Sequence, residues 1–317
     1  MSPEALAEKA LAGLSPSEAL KLFQAPWEVL AEAALLVKAR RKGQRIRLIR
    51  LLNIKSGGCP EDCAYCAQSA HYSTPAPRHP LLSPEAILQE AERAKAAGAR
   101  RFCLVGAYRM PSREALGRIG DVAPSLKALG LEVCVSLGLL SPEMALALKE
   151  AGVDYYNHNL NTSGRLYPRI ATTHLYAHRL ETLRLARQAG LKLCSGVILG
   201  MGERPEDVVE MAYTLKALGV ESVPINFLLP IPGTPLGENP PPGYTPEEAL
   251  KALSLFRLVL PEVELRASAG RERYLSPYAS WVFRIADSVF IEGYLTQKGT
   301  PLGEDWQRIQ ELGLEVC

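Results

Sequence analysis

One phrase recurs five times along this chain: a helix-forming run that ends in a glycine, followed at once by an apolar strand-forming run. It reads Ala96-Ala97-Gly98 before residues 101–105, Ala128-Leu129-Gly130 before 131–135, and Glu150-Ala151-Gly152 before 153–156. It returns as Gln188-Ala189-Gly190 before 191–194 and as Ala217-Leu218-Gly219 before 220–223. Each glycine stands where a helix ends in the left-handed conformation, which a Cβ would penalise. Helix starts are marked by Ser15-Pro16, Ser83-Pro84, Ser141-Pro142 and Thr245-Pro246, and Ser15/Glu18 and Thr245/Glu248 have the spacing of capping boxes.

Further strand-like runs near 46–54, 222–228, 263–268 and 287–292 bring the count to about eight parallel strands alternating with helices. The expected fold class is α/β, a (β/α)8 TIM barrel with an N-terminal helical extension; an open doubly wound sheet is the alternative. Residues 1–40 read as that extension, covering one end, and 41–317 as the barrel.

Composition excludes several classes of partner. The 36 basic and 34 acidic residues leave a net charge of +2, and no basic run interleaved with aromatics occurs, so no nucleic acid is expected. No apolar stretch approaches the roughly eighteen residues of a membrane span. Nothing at the N-terminus resembles a secretion signal, so a reducing cytoplasm is the expected setting.

Three of the seven cysteines fall in one short segment, Cys59, Cys63 and Cys66, directly after a strand-like run. Three thiolates at C-x3-C-x2-C spacing can hold three irons of a 4Fe-4S cluster and leave the fourth iron open for a ligand. A zinc site completed by His71, or thiols with no ligand role, are the alternatives. An odd set of three cannot pair internally as disulfides. The glycine phrases place three more cysteines in register: Cys103 lies five residues after its glycine, Cys134 and Cys194 four after theirs. Pointing inward, they would meet in one layer of the barrel, where three thiolates and one further ligand can hold a 2Fe-2S cluster.

C-x3-C-x-aromatic-C, with Tyr65 as the aromatic, resembles the signature of the radical S-adenosylmethionine (SAM) enzymes. In that superfamily SAM chelates the open iron, and an electron from the cluster cleaves it to methionine and a 5'-deoxyadenosyl radical. Within it the chain resembles the biotin synthase family along nearly its whole length. The matching stretches are Gly58-Cys59-Pro60-Glu61-Asp62-Cys63 with Tyr65-Cys66 and Gln68-Ser69, Tyr155-Tyr156-Asn157-His158-Asn159, and Cys194-Ser195-Gly196. Ser222-Val223-Pro224-Ile225-Asn226 and Leu265-Arg266 with Ser268-Ala269-Gly270-Arg271-Glu272 complete them.

The resemblance implies sulfur insertion between C6 and C9 of dethiobiotin, with SAM, a 4Fe-4S cluster on Cys59, Cys63 and Cys66, and a 2Fe-2S cluster on Cys103, Cys134, Cys194 and Arg266. Chemistry alone would never nominate Arg266, since a guanidinium offers donors only. It implies further that Asn159, Asn161, Arg179 and Ile198 meet SAM, Tyr65 lying beside the cluster, and that Asn159, Asn226 and Thr296 meet the substrate. A reduced flavodoxin or ferredoxin is the implied electron donor, and a homodimer the implied assembly. The competing readings are a radical SAM barrel maturase or isomerase with another substrate, which need not have the Cys103/Cys134/Cys194/Arg266 set, and an iron-sulfur carrier, which needs no SAM pocket.

Overall fold

The protein is described by a computed structural model covering residues 1–295 and 299–317. Each of the five glycine phrases ends a helix as expected. Gly98, Gly130, Gly152, Gly190 and Gly219 all have φ between 65° and 90°. The amide after each glycine reaches back five residues, as in Ala99 N–H to Ala94 O at 2.9 Å and Leu191 N–H to Ala186 O at 3.0 Å. This is the Schellman closure. The residue that makes it (Ala99, Leu131, Val153, Leu191 or Val220) is buried, so each helix end is also an anchor into the core.

The strands are β1 (Arg45–Lys55), β2 (Arg101–Gly106), β3 (Glu132–Ser136), β4 (Tyr155–Asn157), β5 (Lys192–Cys194), β6 (Val197–Leu199), β7 (Ser222–Phe227), β8 (Glu264–Ala267), β9 (Ser288–Phe290) and β10 (Glu315–Val316). All pairings are parallel, and β9 pairs back onto β1, which closes the ring and removes the open-sheet alternative. β5 and β6 both pair with β7 and form one barrel strand broken at Ser195-Gly196, so the ring has eight members. β10 extends the sheet outside the ring beside the start of β1.

The break has a physical cause on the neighbouring strand. It faces Val223 and Pro224, and a proline has no N–H to give to a ladder. The two backbones approach so closely there that a Cβ on residue 196 would lie 1.8 Å from the Pro224 carbonyl oxygen. Only glycine fits. At the break Gly196 turns to the site: its N–H donates to Asn159 Oδ1 at 3.0 Å, and its carbonyl accepts from Asn161 N–H at 3.2 Å.

Before the barrel, helices Pro3–Ala12, Pro16–Lys21 and Trp27–Lys42 pack on one another and on the outer helices. Trp27–Lys42 lies against Pro246–Val259 and Ala279–Ile285, and buried Lys38 caps the end of the latter through the Phe283 and Ala286 carbonyls at 3.0 and 2.6 Å. Burial lowers the Lys38 ammonium to about 8. Burial therefore disfavours its charged form, and Lys38 gives up its proton in milder alkali than an exposed lysine.

Gly196→Ala is expected to destabilise the fold by about 1 to 3 kcal/mol, because the added methyl must push β5 and β6 from β7. A thermal midpoint several degrees below that of the unsubstituted protein by circular dichroism would bear this out; an unchanged midpoint would refute it.

Candidate active site

The loop after β1 is shaped before any metal is considered. Gly57 and Gly58 are both left-handed, with φ of 79° and 69°, and turn the chain into the three-cysteine segment. Cys59 donates its N–H to Gln68 O at 3.0 Å and accepts from Ala70 N–H at 2.7 Å, while Cys66 N–H reaches Cys63 O at 2.9 Å. Ala64 ties the segment to two other loops, through Ile170 O at 2.8 Å and Leu236 N–H at 3.0 Å.

Cys63 is buried and Cys59 and Cys66 are half-buried. Burial pushes the Cys63 thiol up to about 12 and Cys66 to about 11, and raises Cys59; the nearby Arg179 charge offsets only part of this. Thiols held in this way become good ligands only when a metal brings positive charge to them. The donor set therefore fits an iron-sulfur cluster. Among the described residues no three His, Cys, Asp or Glu side chains converge on a single metal ion, whereas thiolates on separate irons stand farther apart. His71 is exposed and its Nε2 lies 3.0 Å from Pro60 O, away from the zinc role considered for it.

Deeper in the same cavity the barrel supplies a second set. Cys103 of β2 is paired with Cys134 of β3, and Cys134 with Tyr155 of β4. Cys194 of β5 is paired with Asn157, two residues further along β4, so the thiols climb with the stagger of the barrel while all face inward. They form one buried cluster with Ile49, Tyr155 and Phe290. Its two neighbouring thiols and burial hold the proton on Cys134, while the neighbouring Cys134 thiol and the Arg266 charge lower Cys103 and Cys194 against the cost of burial. Asn157 Nδ2 also donates to Cys194 Sγ at 3.1 Å.

Arg266, on β8, is aimed by the barrel floor. Its Nη2 donates to Ser222 Oγ at 2.9 Å and Glu264 Oε1 at 3.3 Å, and its Nε to Ser288 Oγ at 3.4 Å. Nη1 is left toward the thiols, 3.8 Å from Cys194 Sγ. Glu264 is gripped in turn by Arg101, with Nη1 to Oε1 and Nη2 to Oε2 both at 2.9 Å. Ser222 opens one of the stretches shared with the family, but Ser288, Glu264 and Arg101 belong to none of them, and the closed ring brings all four together.

Comparisons with known proteins decide the family. Residues 53–215 match the model of the radical SAM superfamily, and residues 224–315 that of the biotin and thiamin synthesis associated domain. A biotin synthase of Thermus thermophilus is 60% identical over all of this chain and 97% of its own length. That of Coxiella burnetii is 44% identical, covering 93% of both chains. This chain belongs to the biotin synthase family.

Among solved structures, methylornithine synthase superposes with a TM-score of 0.86 at 20% identity, over 98% of this chain and 97% of that one. The FeFe-hydrogenase maturase of Carboxydothermus hydrogenoformans gives 0.82 at 19%, over 98% and 78%. At such identities these two show the fold alone.

The remaining residues expected from the biotin synthase family line the space between the two cysteine sets, except one. Asn159, Asn161, Asn226, Arg179, Ile198 and Tyr65 all line the cavity; Thr296 lies outside the described residues. Asn159 and Asn161 both face the cavity although they lie beyond the strand: β4 ends at Asn157, and Asn161 has a φ of 68° in the left-handed region. Its amide makes no side-chain hydrogen bond among the described residues. Asn159 Oδ1 is taken by Gly196 N–H, which leaves its Nδ2 toward the cavity. Asn226 is half engaged, donating to Val197 O at 2.9 Å and accepting from Ala269 N–H at 3.3 Å. One N–H and one lone pair remain on it. Ile198 and Tyr65 form an apolar wall with Leu166, Met201 and Leu228. His158 is buried and stacked on Tyr156, and burial followed by the Arg179 charge keeps it neutral.

Burial acts to raise the Glu264 carboxyl, but Arg101 and Arg266 outweigh it and hold it down to about 2. A depressed carboxyl contributes stability above its unfolded value of 4.5 and loses it as pH falls toward 2. Glu264→Gln is therefore expected to be less stable at neutral pH, and its urea midpoint should vary less between pH 4.5 and 2, by roughly 3 kcal/mol of stability. Parallel pH profiles for the two proteins would show that the ion cluster does not set acid stability.

Proposed function

We infer that the chain is a biotin synthase, inserting sulfur between C6 and C9 of dethiobiotin. The observation that carries this reading is the pair of cysteine sets facing one cavity, one on a loop at its edge and one with Arg266 in the barrel interior. A radical SAM enzyme without sulfur insertion has no need of the second set, and an iron-sulfur carrier has no need of the polar pocket between them. Residues 1–40 serve as a helical extension and 41–317 as the catalytic barrel.

Cys59, Cys63 and Cys66 would hold three irons of the 4Fe-4S cluster, and Cys103, Cys134, Cys194 and Arg266 the 2Fe-2S cluster. Bound there, the first supplies the electron that cleaves SAM, and the second the sulfur that enters the product. The protein's own part is placement. Arg179 meets the SAM carboxylate, the free amides of Asn159 and Asn161 meet the ribose, and Ile198 packs beside the adenine. Tyr65 and the apolar wall keep water from the reacting atoms, which protects a reactive radical from quenching. The open N–H and lone pair of Asn226 match the carbonyl and N–H edges of the ureido ring, with Asn159 and Thr296 as further substrate contacts. Held between the two sets, the substrate carbon is within reach of the sulfur, and proximity substitutes for collision. A reduced flavodoxin or ferredoxin supplies electrons to a homodimer in the cytoplasm. No helix among the described residues is long and apolar enough to cross a membrane.

Two substitutions divide the work. Cys63→Ala should abolish 5'-deoxyadenosine formation while sparing 2Fe-2S absorption, because two thiolates do not secure the cubane. Retained 5'-deoxyadenosine in this variant would remove the loop from SAM cleavage.

Cys194→Ala should do the converse, leaving 5'-deoxyadenosine formation largely intact and stopping carbon-sulfur bond formation. Arg266→Met should keep partial activity, since a guanidinium is the weakest donor of the four. The readout is biotin per polypeptide in one anaerobic turnover, with sulfur isotope in the 2Fe-2S cluster. Unlabelled biotin, or full activity in Cys194→Ala, would overturn the donor role.

A further inference from the structure

Glu61 sits inside the cysteine loop, between Cys59 and Cys63, yet its carboxylate turns away to a different part of the chain. Its Oε2 lies 2.7 Å from His174 Nδ1. His174 Nε2 in turn lies 2.7 Å from Tyr167 Oη and 3.1 Å from Arg179 Nη2, and Arg179 Nε donates to Tyr167 Oη. Arg179 Nη1 donates to Asn159 O at 2.9 Å. All four side chains are buried.

The proton positions follow from donor counting. An arginine has no acceptor, so His174 Nε2 facing Arg179 Nη2 must carry the lone pair. The single ring proton is then on Nδ1 and is given to Glu61. Tyr167 Oη accepts from Arg179 Nε, so its own hydrogen goes to His174 Nε2. Only this arrangement satisfies every contact. Burial and the Arg179 charge both keep His174 neutral, as the arrangement requires. A charged ring would set Nε2–H against a guanidinium N–H.

We propose that Glu61, His174 and Tyr167 are positioning residues for Arg179, fixing its guanidinium for a carboxylate ligand in the cavity and tying it to the loop that carries Cys59, Cys63 and Cys66. The grip on the ligand's carboxylate and the cysteine loop then move as one unit. This rests on the assignment of Arg179 to the SAM carboxylate. The form of control is the one second ligand shells exert: an outer group sets the tautomer and direction of an inner one.

The test compares binding of SAM and of decarboxylated SAM, which keeps the sulfonium and the nucleoside, to the reconstituted holoenzyme by equilibrium dialysis, with iron and sulfide measured for every variant. His174→Phe, which keeps a ring but no nitrogen, should weaken SAM roughly tenfold or more and decarboxylated SAM less than about twofold, at unchanged iron. His174→Gln, which restores an acceptor toward Arg179, should recover most of that loss. Tyr167→Phe should show the same selectivity at roughly threefold, and it decides the matter if His174→Phe loses iron.

Equal weakening of both ligands, or none, in the deciding variant would overturn the relay. Arg179→Gln separates the two layers of the argument. If it does not discriminate between the ligands, the carboxylate assignment itself fails; if it does and the deciding variant does not, only the relay fails.

Discussion

The pairing of β9 with β1 is the contact on which the rest depends, because closure turns strand alternation into convergence. In an open sheet, every second side chain of a strand points to one of two faces. In a closed ring one of those faces becomes an interior, and residues far apart in sequence are forced against each other. Cys103, Cys134, Cys194 and Arg266 come from four different strands and meet for this reason. The stagger of the ring also sets their relative heights: Cys194 pairs with Asn157, two residues beyond the Tyr155 that pairs with Cys134, and Arg266 lies two residues beyond Glu264, which pairs with Cys194's own partner Ser222.

An interior of this kind can hold charge only where charge is balanced. Glu264 sits between Arg101 and Arg266 and accepts from the Ser222 and Ser288 hydroxyls as well, so the floor of the barrel is an ion cluster with its hydrogen bonds nearly filled. Leaving any one of these ions alone would cost several kcal/mol. What results is a guanidinium whose reach toward the thiols is fixed on one side by the serines and the glutamate. The two thiol sets therefore differ electrically. The neighbouring Cys134 thiol and the buried arginine charge favour thiolate at Cys103 and Cys194, whereas burial dominates at the loop thiols and keeps their protons on.

Where the barrel strands stop, the loops take over, and the broken strand at Ser195-Gly196 joins the two regimes. The Gly196 backbone groups at the break hold Asn159 and Asn161 in place, so the interruption in the strand orients the polar pocket. The contacts from Glu61 through His174 to Arg179 extend the same pocket to the cysteine loop.

The chain's helix ends, its strands and its loop cysteines were legible in sequence because each is a local matter. A glycine with positive φ, a serine before a proline, and three cysteines within eight residues act over one turn of chain. The family resemblance added Arg266, which no local rule would nominate. Tertiary structure alone decided the rest. Ser288, Glu264 and Arg101 around Arg266, and His174 and Tyr167 around Arg179, are ordinary residues at scattered positions, with no spacing to betray them. Asn161 reaches the cavity beside Asn159 from a left-handed backbone position past the end of β4. Sequence determines which elements form, since capping and periodicity are short-ranged. Which side chains share a buried hydrogen bond depends on how the ring closes, a long-range condition that no single segment contains.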